Sequence, residues 1–171
     1  MKQRTQRTKY SMSPLALSLL IILAFASITF SNHAQLSFAQ NNTSFVNSFE
    51  KLVKNANNLS QSYHNETGKF AKGQINNKTM IAITDNYEQK YQNLIKEAKE
   101  LQPPKEFQNA TDLYTKSLEL ELQSNNHFRD YLSTNNSTEN NLSSKLLSDS
   151  FNYELEAFKK LKASGSFTIL P

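Results

Sequence analysis

Residues 133–144 read STNNSTENNLSS, four asparagines in one short polar stretch. As a structureless spacer it would divide the chain; as a corner between two helices it closes a bundle. The flanking residues decide. Upstream, Phe107, Thr111, Tyr114, Leu118, Leu122, Asn125, Phe128 and Leu132 recur in steps of three and four, the repeat of one helix face, and Leu113, Leu120 and Tyr131 broaden it. Downstream, Leu147, Phe151, Leu155, Phe158 and Leu161 step the same way, with Leu142, Leu146 and Ala157 beside them. Asn136 followed by Glu139 has the spacing of a capping box, in which Asn136 receives a helix-start amide and Glu139 reaches back. Residues 133–136 therefore read as a short turn and 137–144 as the polar first turns of a helix, since a disordered spacer carries no such seams.

Helix breakers mark the other connections. Gly68 with Gly73, Pro103 with Pro104, and Gly165 are the only Gly and Pro between Gln40 and Leu170. Inside a helix Gly costs about 1 kcal/mol and Pro about 3 kcal/mol, so their clustering separates helices. Phe45, Phe49, Leu52, Ala56, Leu59 and Tyr63 form one seam; Met80, Thr84, Tyr87, Tyr91, Leu94, Ala98 and Leu101 form another, widened by Ile81, Ile83 and Ile95. Pro104 suits the first helical position, with Glu106 in the first turn. SLELEL (117–122) alternates as a strand does, but it lies inside a long breaker-free stretch and reads as helix. The expected helices span about 43–64, 78–102, 104–132 and 137–164, with the longest connection at 65–77. Short connections make neighbours antiparallel. The fold class expected is all-α, an antiparallel up-down-up-down four-helix bundle over residues 40–164 after an N-terminal signal or anchor helix. Residues 165–171 (GSFTILP) form a C-terminal tail, with Gly165 as helix terminator and Phe167, Ile169 and Leu170 expected to fold back on the bundle.

The first 39 residues differ from the rest. Lys2, Arg4, Arg7 and Lys9 precede an uncharged apolar run from Leu15 to Phe30, followed by Ser37-Phe38-Ala39. A basic start, an apolar middle and a small-x-small exit are the parts of an export signal. The apolar run would rise about 24 Å as a helix, short of the ~30 Å hydrocarbon core, so cleavage after Ala39 is favoured over a retained membrane anchor. Without those four cations the 19 Lys plus Arg fall to 15, equal to the 15 Asp plus Glu. The mature part thus lacks the cationic excess that displaces counterions from phosphates, and nucleic acid is not an expected partner. The absence of cysteine removes thiol catalysis, iron–sulfur clusters and thiolate zinc sites, and leaves the fold to its core alone.

Nine Asn-x-Ser/Thr triplets begin at Asn41, Asn42, Asn58, Asn65, Asn77, Asn109, Asn135, Asn136 and Asn141. Chance would supply about four or five in so Asn-rich a chain. The excess marks Asn41, Asn42, Asn65, Asn77, Asn135, Asn136 and Asn141, at expected helix ends or connections, as candidate glycosylation sites; Asn58 and Asn109 fall within expected helices. No Glu-x-x-His pair supports a di-iron centre. His127 and Asp130 share a helix face, but two ligands do not close a zinc site, and Met80 with His64 or His127 has no pattern pointing to haem. No metal ligand, cofactor or catalytic residue is therefore assigned. The pairs Glu119/Glu121 and Glu154/Glu156 point to different helix sides and read as solvated charges, not an acid–base pair. The tyrosines near the seams read as core filler with their hydroxyls at the rim, or else as the lining of a small-molecule pocket.

The leader ending AQLSFAQNNTS, the density of triplets and the Asn/Lys-rich helices resemble exported small proteins of archaeal surface proteomes. The segment LQPPKEFQNATDLYTKSLELELQSNNHFRDYL resembles a recurring helical module of uncharacterised exported proteins, in which a Leu-x-Pro-Pro start precedes two long antiparallel helices; the likeness covers about residues 101–161. It implies a helical pair and brings no activity and no catalytic residues. The expectation is an exported or cell-surface bundle of non-enzymatic role, in interaction or envelope structure. Its membrane contact would come only through an uncleaved leader. The alternative is an extracytoplasmic sensor that binds a small molecule or a metal.

Overall fold

The computed structural model describes residues 40–163. These form four α-helices, α1 (Gln40–Ala71), α2 (Asn77–Glu100), α3 (Lys105–Thr134) and α4 (Ser137–Ala163), with no strand among the described residues. The chain is all-α, and its helices pack as a helical bundle does. SLELEL lies wholly within α3. The leader and the tail from 164 lie outside the described residues. No helix among the described residues is long and apolar enough to cross a membrane.

Each connection is closed by local chemistry. α1 ends in a left-handed Gly73 (φ 69°), with the Gln74 amide bonded to Lys69 O at 3.0 Å and the Gly73 amide to Phe70 O at 2.9 Å, the paired bonds of a Schellman cap. The expected connection at 65–77 is thus shorter than the composition implied. Gly68 stays helical because the added turns bury Thr67 and bring Phe70 against Phe128. Asn76 caps α2 by accepting the Thr79 amide at 2.9 Å. Pro104 precedes α3 as its N-cap residue, a position that needs no amide donor. STNNSTENNLSS is a two-residue corner. Asn135 is left-handed (φ 56°) and its amide closes on Tyr131 O, while Asn136 Oδ1 accepts the Thr138 amide at 3.0 Å. The reciprocal half of the expected capping box does not form, because the Glu139 carboxylate is drawn instead to His127.

Cross-helix contacts give the directions. Tyr63–Thr84 and Ser60–Tyr91 set α1 antiparallel to α2. Asn77–Leu132 and Lys99–Glu119 do the same for α2 and α3, and Ser124–Ser143 with Ser150–Ser117 for α3 and α4. One apolar cluster draws on all four helices, from Phe45 and Phe49 through Leu94 and Phe107 to Phe158 and Leu161. A second, around Tyr63, Met80, Phe128 and Leu132, fills the other end.

α3 and α4 pack most closely of any pair. Ser124 donates to Ser143 O at 2.8 Å, and Ser150 to Ser117 O at 2.8 Å. Each pair is one heptad from the next, and the same register sets Ala110 opposite Ala157; all six residues are buried. Small residues at every seventh position let two antiparallel backbones approach. This register turns α4 away from the expected seam, which had followed its large apolar residues. Leu155 is 53% exposed, and Leu142 and Tyr153 also face solvent, while Asn140, Ser143 and Ser150 are buried.

Volume, more than polarity, limits this seam. Ser150→Ala should cost no more than about 1 kcal/mol of unfolding free energy, the loss of one hydrogen bond. Ser150→Leu should cost more, roughly 1–3 kcal/mol from overpacking, as read by urea denaturation of both variants.

Candidate functional site

The bundle interior carries a polar layer at mid-height. Tyr91 on α2 donates its phenolic proton to Glu121 Oε1 on α3 at 2.6 Å, so Ser60 on α1, 3.1 Å from the Tyr91 hydroxyl oxygen, donates to that hydroxyl. Thr84 donates to Met80 O at 2.9 Å, which leaves Tyr63 as donor to Thr84 at 2.9 Å. The Tyr63 and Tyr91 hydroxyls are therefore inside the bundle and paired, not at its rim. Glu121 is only 8% exposed, so the expectation of a solvated charge fails for it. Burial and the adjacent Glu121 carboxylate hold the Tyr91 phenol well above its usual range. Burial lowers the half-buried His64 imidazole, opposed by the attraction of Glu121.

Glu154 on α4 completes the layer. Burial, then repulsion from Glu121, raises its carboxyl from 4.5 to about 7. Both carboxylates sit on an alternative three–four path between buried residues. The steps from Leu118 to Asn125 pass through 121, and those from Ser150 to Ala157 pass through 154. Following the nearest leucine at each step hid them.

A second constellation stands at the α3–α4 corner. His127 Nδ1 lies 2.6 Å from Glu139 Oε2, and as a carboxylate only accepts, the imidazole donates. Asp130, one turn on from His127, joins them: the three residues offer donor atoms all within 4.8 Å of one another. The sequence places His127 with Asp130 on one face. Glu139 arrives only because the two-residue corner folds α4 back in this register. Arg129 is paired mainly with Asp85 across on α2, with Nη1 3.7 Å from Asp130. Three buried amide atoms near the corner in sequence, Asn125 Nδ2, Asn126 Oδ1 and Asn140 Oδ1, have no hydrogen-bond partner.

The other residues singled out from sequence stay apart. Met80 is fully buried in an apolar cluster with Tyr63, Phe128 and Leu132. Asn65, Asn77, Asn135, Asn136 and Asn141 are exposed, as are Asn58 and Asn109. Asn65 lies within α1 and not in a connection, Asn77 also donates to Leu132 O at 3.1 Å, and Asn41 and Asn42 are in the first turn of α1. No protein-family model, no curated protein and no solved structure matches the chain.

Glu154 makes stability depend on pH with a fixed sign. Its folded carboxyl binds a proton up to about pH 7 and its unfolded one only to 4.5, so stability is lost as pH rises through that window. Glu154→Gln, which keeps the neutral form, should raise the melting temperature at about pH 8 and have little effect at about pH 5.

Proposed function

We propose that the chain is an exported or cell-surface protein of non-enzymatic role, in interaction or envelope structure, built as an antiparallel up-down-up-down bundle. The observation that carries this reading is the closed interior. Tyr91, Tyr114, Phe107, Met80 and Phe49 are each no more than 1% exposed, and Tyr91 bonds to Glu121 and Tyr63 to Thr84 across helices. Such a core leaves the outer surface as the working face. The basic-then-apolar leader supports export, and the exposure of Asn65, Asn77, Asn135, Asn136 and Asn141 supports their use as glycosylation sites. Any membrane attachment falls to the leader in this reading.

The second reading, an extracytoplasmic sensor that binds a small molecule or a metal, is favoured at one place, the His127–Asp130–Glu139 corner. The test of the first reading is the intact mass of the protein isolated from its own envelope and culture medium. A chain beginning at Gln40 with added sugar masses is the expected result. A full-length, unmodified chain in the membrane fraction would replace cleavage and glycosylation with a tethered bundle, and the same mass in the cytosol would overturn export altogether.

A further inference from the structure

We infer that the α3–α4 corner is a binding site for a divalent transition-metal ion, with His127, Asp130 and Glu139 as its protein ligands. The inference rests on the metal-binding reading of this corner and not on the envelope role. The donor set is one imidazole nitrogen and two carboxylates, all within 4.8 Å. Around a tetrahedral ion with bonds of about 2.0–2.1 Å, donor atoms sit about 3.3 Å apart. The His127–Glu139 separation of 2.6 Å has to open slightly, and Asp130, with 54% of its side chain exposed, has the freedom to close in. On binding through Nδ1 the ring loses the proton it shares with Glu139 and stays protonated at Nε2, so a neutral ring and two carboxylates offset the charge of the ion.

Two features favour a cation here over a plain ion pair. Two carboxylates face one imidazole, and the nearest guanidinium, Arg129, bonds chiefly to Asp85 and reaches Asp130 only at 3.7 Å. His127 and Asp130 lie in the last turns of α3, the helix end that favours positive charge. Calcium and magnesium prefer sites built wholly from oxygen, whereas an imidazole beside carboxylates suits zinc, iron or nickel. Since its ligands come from two helices, the ion would clamp the corner and raise the stability of the folded chain.

The experiment is titration of the tag-free full chain with Zn²⁺ alone, by calorimetry and by melting temperature. One Zn²⁺ per chain is expected for the wild type and for His64→Ala, with a rise in melting temperature. His127→Ala, Asp130→Asn and Glu139→Gln should each weaken binding by at least about tenfold and abolish that rise. Asp130 is exposed, so Asp130→Asn tests the site even if the His127 variant folds poorly. No saturable binding up to about 1 mM Zn²⁺ would overturn the inference. So would binding that Asp130→Asn and Glu139→Gln leave unchanged, or that His64→Ala removes. None of these outcomes bears on where the protein resides, which the intact mass decides separately.

Discussion

The close approach of α3 and α4 governs much of the rest. Two helices whose facing positions are Ala and Ser at heptad spacing come nearer than helices spaced by leucine, and the serine hydroxyls bond directly to the opposing backbone. Once Ser117–Ser150 and Ser124–Ser143 are in register, the rotation of α4 is fixed. Glu154 is then carried toward Glu121, Glu139 toward His127, and Leu155 out to solvent. The large side chains respond to this geometry: Tyr114 and Phe158 meet at 5.9 Å beside the seam, while from α1 Phe49 packs against Tyr114 and Phe45 against Phe107.

The buried carboxylate is the counterpart of that economy of space. Glu121 inside a bundle would be costly if unpaired, and Tyr91 supplies the proton that it accepts. Ser60 joins through the same phenolic oxygen, so a single chain of hydrogen bonds links α1, α2 and α3. It ties the helices in one alignment with a directionality that apolar contacts lack. This is the kind of device that fixes register at some expense in stability.

Much of the fold was legible because most seams follow large apolar residues. Phe45 to Tyr63 and Met80 to Leu101 lie on the faces that periodicity assigns, and the corner at 135–136 sits where the turn was expected. α4 was read a fraction of a turn off. Its buried stripe contains Asn140, Ser143 and Ser150, which hydropathy treats as outward, and its leucines lie on the flanks. The same bias hid Glu121 behind Leu122. Of the corner cluster, His127 and Asp130 were visible as neighbours on a face, but Glu139 needed the tertiary register. The triplets at Asn135 and Asn136 show the limit of motif reading: the same side chains that mark a candidate acceptor also build the turn, one by its left-handed backbone and one as a cap.

The two-residue corner also bears on the order of assembly. Closing so short a connection costs little chain entropy, and the contacts that it enables are local in sequence. Of the three hairpins, α3–α4 has the shortest connection and the most extensive helix pair, which makes it the natural nucleus. In that scheme the serine seam belongs to the folding transition state, and volume changes along it slow refolding more than they hasten unfolding.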